Sequence, residues 1–110
     1  MAINVHNIEG TPASTFAVTI GANDSDEVYE IPAADRVSDD GRHAQAATIT
    51  VESAGGCRIA FGATSPTVSV GHFMDNGDIL RLTNPGAIRS CKFTRGDVTK
   101  ALKLQISMEY

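Results

Sequence analysis

The nine residues Leu102-Lys103-Leu104-Gln105-Ile106-Ser107-Met108-Glu109-Tyr110 alternate apolar and polar side chains without interruption. A period of two residues is typical of a β-strand that has one buried face and one face in water. The face predicted to lie in the core consists of Leu102, Leu104, Ile106, Met108 and Tyr110. The face predicted to meet water consists of Lys103, Gln105, Ser107 and Glu109. We therefore expect this segment to be a core strand.

Shorter stretches of the same alternation occur throughout the chain. Their predicted inward residues are Phe16, Val18, Ile20, Ile49, Val51, Cys57, Ile59, Phe61, Leu80 and Leu82. Their predicted outward residues are Thr15, Thr19, Thr48, Thr50, Arg58 and Arg81. Weaker strand candidates are Ile3–Ile8, Val28–Ile31, Val68–Val70 and Ala87–Phe93. Because no segment of ten or more residues has an apolar stripe of helical period, the pattern predicts eight or nine short strands.

Turn-forming residues separate nearly all of these strands at intervals of about ten residues, which is typical of antiparallel sandwiches and barrels. Asn76-Gly77 suits a tight hairpin turn, and Pro85-Gly86 suits the centre of a type II turn. A chain of 110 residues has the size of one domain. The sequence therefore predicts one all-β domain over residues 1–110, an antiparallel β-sandwich of about eight strands, for which a jelly roll is one arrangement.

Charge and hydropathy exclude two classes of partner. The net charge is −4, and the 9 Lys and Arg residues are dispersed along the chain, whereas nucleic-acid binding needs basic residues gathered on one face. Apolar runs of a few residues are far shorter than the roughly 20 that cross a bilayer. The first residues lack the basic and apolar regions of a signal peptide, so we expect a protein that stays inside the cell.

No motif of catalysis, cofactor binding or metal binding is present, and we predict no site of these kinds and no enzyme. Cys57 and Cys91 have no Cys-x-x-Cys partner and are expected to be reduced thiols that face the core. The histidines His6, His43 and His72 stand at unrelated positions. The acidic clusters coincide with turns, which favour Asp, and they lack the spacing of a calcium loop.

The segment from Pro32 to Ala46 fits no strand and is long, polar and rich in turn formers. Connections of this length are often functional, although a solvated crossover between two sheets would have the same composition. The predicted partner-binding residues are Arg36, Asp39, Asp40, Arg42 and His43 in this segment, together with Ile3 and Val5 near the N-terminus.

From residue 57 onward, strand and turn signals follow one another in an order that resembles small virion proteins of tailed bacteriophages. Its pieces in this sequence are Arg58–Gly62, Ser65–Thr67, His72–Asp78, Ile79–Leu82, Asn84–Ile88 and Leu102–Met108. The resemblance covers about half of the chain and is closest to capsid decoration or cement proteins. It implies a β-sandwich that acts as a homodimer or homotrimer, binds the major capsid protein on the outer surface of the virion, and assembles in the bacterial cytoplasm.

Two other functions remain open at this stage. A head–tail connector or tail structural protein would share the same fold. A small carbohydrate-binding or cupin-like module belongs to another class, although sugar binding usually relies on exposed Trp or Tyr and the chain has no Trp.

Overall fold

The computed structural model describes residues 12–21 and 28–110, which form two antiparallel sheets packed against each other. Sheet A has four strands in the order β1 (Pro12–Ile20), β8 (Leu102–Glu109), β3 (Ala46–Val51) and β6 (Ile79–Leu82). Sheet B has four strands in the order β2 (Tyr29–Glu30), β7 (Cys91–Arg95), β4 (Cys57–Phe61) and β5 (His72–Met74). A short 3₁₀ helix, Ala33–Arg36, follows β2, and the helix α1, Pro85–Ser90, precedes β7.

The strand pairing is that of a jelly roll. β1 pairs with β8, β2 with β7, β3 with β6, and β4 with β5. These four antiparallel pairs follow one another along a single long two-stranded ribbon. Two further pairings complete the sheets when this ribbon folds over on itself. The pairing of β3 with β8 joins two of the strand pairs into sheet A, and the pairing of β4 with β7 joins the other two into sheet B. The predicted β-sandwich is therefore confirmed, and the strand order identifies which sandwich it is.

The core lies between the sheets and follows the period-two prediction. The inward residues of β8 are at most 1% exposed, the following Tyr110 is 7% exposed, and Ile49 and Val51 of β3 are fully buried. Phe61 is an exception: it was predicted to face the core but is 42% exposed, because it is the last residue of β4, where the strand leaves the sandwich. Glu109 is the opposite exception, because its predicted solvent-facing side chain is only 2% exposed and is covered by Arg81.

The segment Ala87–Phe93, predicted as one strand, is helix α1 followed by the start of β7. The side chain of Asn84 caps the helix by accepting a hydrogen bond from the backbone N–H of Ala87 at 2.7 Å, and Pro85 occupies the first turn. Both residues are favoured at those positions of a helix. The predicted type II turn at Pro85-Gly86 is therefore wrong, since these residues begin a helix.

Two other predictions of local structure are corrected. Val68–Val70 is not a strand, because the Thr67 hydroxyl accepts hydrogen bonds from the backbone N–H groups of Ser69 and Val70 and bends the chain. Asn76-Gly77 does form a turn with a positive φ of 93° at Gly77. It is not a hairpin turn, however, because it joins β5 of sheet B to β6 of sheet A. The candidate strand Ile3–Ile8 lies outside the described residues.

Candidate interaction surfaces

The long polar segment between β2 and β3 carries the chain from sheet B to sheet A, so it is a crossover between sheets. Its centre is ordered as a small hairpin in which Val37 and His43 form a β-bridge. The Ser38 N–H donates to the Arg42 carbonyl at 2.8 Å, and the Gly41 N–H donates to the Ser38 carbonyl at 3.0 Å. We call residues 37–43 the crossover hairpin.

The charged residues of the crossover hairpin pair mainly with one another. The Asp40 carboxylate accepts hydrogen bonds from the Ser38 hydroxyl and from Arg42 Nε, the latter at 3.1 Å. These two hydrogen bonds, that of Ser38 first, lower the pKa of Asp40. The side chains of Arg42 and Asp40 are 52% and 63% exposed, so their ion pair adds little stability. Asp39 is exposed beside them, at the tip of the hairpin.

Arg36 and His43 lie at the base of the crossover hairpin. Arg36 Nε donates to the Ile31 carbonyl at 3.2 Å, which holds the side chain against the protein. The two residues border a cavity of about 30 Å³ beside Pro85 and Ile88, which has room for little more than a water molecule. The structure thus brings five predicted partner-binding residues together around one hairpin, whereas Ile3 and Val5 lie outside the described residues.

A larger depression, with a volume of about 310 Å³, lies on the side of the molecule formed by sheet B and its loops. Val28, Val68 and Val98 line it and are 36%, 51% and 46% exposed. The remaining lining residues are Ser65, Pro66, Thr67, Thr94 and Arg95. We call this depression the valine groove. It is built from four separate segments, which precede β2, join β4 to β5, end β7 and join β7 to β8.

Phe73 of β5 is another exposed apolar side chain of sheet B, since it is 50% exposed. Its ring packs over the backbone at Gly56 and Gly96, where a Cβ atom would lie under 3 Å from a ring carbon. The guanidinium carbon of Arg58 is 5.1 Å from the ring centre, a cation–π contact. Arg58 Nη1 also donates to the Gly71 carbonyl at 3.1 Å and so connects the ring to the loop between β4 and β5.

The exposed apolar surface of the described residues is one-sided. No strand of sheet A contributes a residue to the exposed large hydrophobics among the described residues: Phe61 and Phe73 lie in strands of sheet B, Val68 and Val70 in the loop between β4 and β5 of sheet B, and Val28 and Val98 in connections that join the two sheets. The outer face of sheet A exposes small or polar side chains instead: Thr15, Ala17, Thr19, Lys103 and Gln105. Sequence reasoning missed this surface because no periodic pattern connects its residues.

The described part of the chain contains no cluster of three or more His, Cys, Asp or Glu side chains that could hold a metal ion. The carboxylates of Asp75 and Asp78 stabilise the turn that contains them, since each accepts a hydrogen bond from a backbone N–H of that turn at 2.8 Å. Cys57 and Cys91 are free and buried, and burial is the main reason that the pKa of each thiol is raised to about 12. Such thiols are poor nucleophiles and poor metal ligands at neutral pH.

None of the helices in residues 12–21 and 28–110 is long and apolar enough to cross a membrane.

Comparison with family models, curated proteins and solved structures found no match to this chain. The jelly roll is shared by proteins of unrelated function, including capsid proteins, lectins and cupins. The strand order alone therefore does not specify a function for this chain.

Proposed function

We propose that the protein is a capsid decoration protein, which binds the outer surface of a phage capsid and stabilises the contacts between subunits of the major capsid protein. The observation that carries this proposal is the one-sided apolar surface of sheet B. A decoration protein needs one face that docks on the shell and an opposite face that remains in water. Sheet B supplies an apolar face that could dock on the shell, and the outer face of sheet A exposes small or polar side chains that suit contact with water.

The valine groove is the part of that surface best shaped for a protein partner. Its three valines are each between 36% and 51% exposed, so each has apolar surface left to bury. Burial of apolar area contributes roughly 25 cal/mol per Å², and an exposed apolar patch often marks a protein interface. None of the described residues that line the groove is aromatic, so they offer no ring on which a sugar could stack.

Weak docking at a single groove is sufficient in this setting. A capsid presents many copies of the same site, and a homo-oligomer of the decoration protein could occupy several of them at once. Linked binding events of this kind raise the overall affinity by roughly 10²–10⁴ without any new type of contact. The proposal therefore requires only a modest interface from each copy.

The first test is the copy number of the protein in purified particles of the phage or prophage that encodes it, measured by quantitative mass spectrometry. A decoration protein should be present at a fixed ratio to the major capsid protein, and in far more than a dozen copies. A dozen or fewer copies would contradict the proposal and favour a head–tail connector. Absence from the particle would contradict both.

The second test is binding of purified protein to preassembled capsids, measured by co-sedimentation. Val68→Asp combined with Val98→Asp places carboxylates at the valine groove, and we expect occupancy to fall at least tenfold because a desolvated charge is costly. Gln105→Asp adds a carboxylate to the exposed outer face of sheet A and should bind like the wild type. Equal binding by all three proteins would exclude the groove as the contact.

The crossover hairpin is the competing contact on the same particle. Replacement of Asp39, Asp40 and Arg42 by Ser removes its exposed charges and leaves Arg36, which is held by the Ile31 carbonyl, in place. Loss of capsid binding in this variant, with normal binding by the groove variant, would transfer the contact to the hairpin. Loss in both variants would indicate that the two surfaces meet neighbouring subunits.

A further inference from the structure

The outer edge of β1 is unusual among the sheet edges of this protein. Among the described strands, β1 and β6 are at the ends of sheet A, and β2 and β5 are at the ends of sheet B. β1 has nine residues, whereas the other three have four, two and three. Its register with β8 is irregular between Pro12 and Ser14 and continuous from Ser14 to Ile20, so at about 3.4 Å per residue the regular part of the edge is roughly 24 Å long.

β1 also lacks the side chains that normally prevent edges from pairing. Proteins protect exposed edges with short strands, charged residues or prolines. The three short edges each contain a titratable side chain, namely Glu30 in β2, His72 in β5 and Arg81 in β6. The sequence of β1, Pro-Ala-Ser-Thr-Phe-Ala-Val-Thr-Ile, has no charged residue, and its proline is at the first position.

We propose that β1 pairs with β1 of a second copy, antiparallel across a twofold axis, to form a homodimer with one continuous sheet. The strand order across the dimer would be β6-β3-β8-β1-β1-β8-β3-β6. Every alternate residue of an edge strand directs its N–H and C=O groups outward, so a full pairing adds up to about eight hydrogen bonds.

A second copy is the partner that this edge fits best, because self-pairing has a specific electrostatic requirement. In a twofold antiparallel pair, each strand meets an identical strand, so any charge near the axis would face the same charge on the partner. Like charges directly opposite each other destabilise a sheet. The uncharged sequence of β1 avoids this, whereas the long strand β8 contains Lys103 and Glu109. Pairing of β1 with a second copy does not require capsid binding.

The first test uses sedimentation velocity on the full chain over a range of concentrations. Thr15→Lys with Ala17→Lys places like charges on the exposed face of the edge strand. We expect dimerisation to weaken about tenfold or more. The matched control is Ser107→Lys with Gln105→Lys, because these residues are the cross-strand neighbours of Thr15 and Ala17 but lie one strand inside the edge. The control should dimerise like the wild type.

The second test detects the pairing directly by cysteine cross-linking. Thr15→Cys, Ala17→Cys and Thr19→Cys are made singly, and each protein is incubated with oxidised glutathione and examined on a non-reducing gel. The native thiols Cys57 and Cys91 are buried and should not react. We expect a disulfide-linked dimer from the position nearest the twofold axis and none from Gln105→Cys.

Three results would overturn the inference. The wild type could be monomeric at all concentrations, which would mean that the edge is left unpaired or is covered by another segment of the same chain. The dimer could survive the lysine variant unchanged, which would place the interface elsewhere. Gln105→Cys could cross-link as well as the β1 positions, which would mean that contact is non-specific.

Discussion

The guanidinium group of Arg81 forms a two-point ion pair with the carboxylate of Glu109 on the outer face of sheet A. Nη2 donates to Oε1 at 3.0 Å, and Nη1 donates to Oε2 and, at 2.9 Å, to the hydroxyl of Thr48. The side chain of Arg81 is 19% exposed and that of Glu109 is 2% exposed, so the pair is largely shielded from water.

Removal of one member of this pair should strongly destabilise the fold. Arg81→Met keeps much of the side-chain volume but removes the cation, and breaking a buried ion pair by removing one member costs about 3–5 kcal/mol. We expect a decrease of about 3 kcal/mol in the free energy of unfolding, measured by urea denaturation. Adding Glu109→Leu should recover part of the loss, because it removes the buried carboxylate itself.

Arg89→Met is the control for this prediction, since Arg89 is exposed on α1. We expect its effect to be within about 0.5 kcal/mol of zero. An Arg81 variant as stable as the Arg89 variant would show that the ion pair contributes nothing to stability.

The central strand β8 should not tolerate a charge on its inner face. Ile106 is fully buried and pairs with Phe16 of β1 on one side and Ile49 of β3 on the other. Ile106→Asp would bury a carboxylate in this layer at a cost comparable to the total stability of a small domain. We expect no cooperative thermal transition in circular dichroism. The adjacent exposed change Gln105→Asp should melt like the wild type, and equal melting of both variants would refute the assignment of the faces.

Much of the sandwich could be predicted from the sequence because alternation reports which side of a strand meets water. The inner face of β8 is correct at every position, and the inner faces of β1 and β3 are also correct. Alternation contains no information about neighbours that are distant in the chain. The burial of Glu109 depends on Arg81, 28 residues away, so the pattern assigned that carboxylate to solvent.

The two candidate surfaces differ in how far they could be predicted, because a sequence pattern does not report which distant segments become neighbours. The crossover hairpin is one contiguous segment, so the polar, turn-rich sequence of that segment was enough to predict its charged residues as a group. The valine groove is assembled from four segments that only the strand order brings together. Val28 begins the candidate strand Val28–Ile31 and Val98 lies in a turn between β7 and β8, and nothing in the local sequence distinguishes either from a buried valine.

Two glycines of the same backbone conformation should respond differently to alanine. Gly56 and Gly62 have φ angles of 72° and 71°. A side chain in this left-handed region is strained by about 1 kcal/mol, and this cost is the same at both positions. A Cβ at Gly56 would lie 2.5 Å from the Met74 carbonyl oxygen and 2.6 Å from Cζ of Phe73, whereas at Gly62 it meets nothing within 4 Å.

We therefore expect Gly62→Ala to lower the free energy of unfolding by about 1 kcal/mol, and Gly56→Ala to lower it by at least about 2 kcal/mol more. Urea denaturation of the two variants provides the comparison. Gly56→Ala should also displace the Phe73 ring and so change its near-ultraviolet circular dichroism. Equal stabilities would mean that the strand around Met74 moves aside at no cost.

The two buried thiols should make the fold sensitive to alkaline pH. Burial raises the pKa of Cys57 and that of Cys91 from 9.0 to about 12, and smaller contributions come from Asp78 and from Cys57 respectively. The folded protein therefore keeps protons that the unfolded chain releases above pH 9. The stabilisation is complete below pH 9 and is lost as the pH rises towards 12, by up to about 1.4 kcal/mol per pH unit for each thiol.

The readout for this prediction is the slope of unfolding free energy against pH, measured by urea denaturation between pH 8 and 10.5. Cys57→Ala with Cys91→Ala lowers the overall stability by removing buried sulfur atoms, but it should also make the slope shallower because the titrating thiols are gone. Tyr29, whose pKa is raised to about 12 mainly by burial and further by Asp35, should leave a residual slope above pH 10. Tyr29→Phe in the same background should remove that residual, and an unchanged slope in the alanine variant would show that the thiols do not titrate with unfolding.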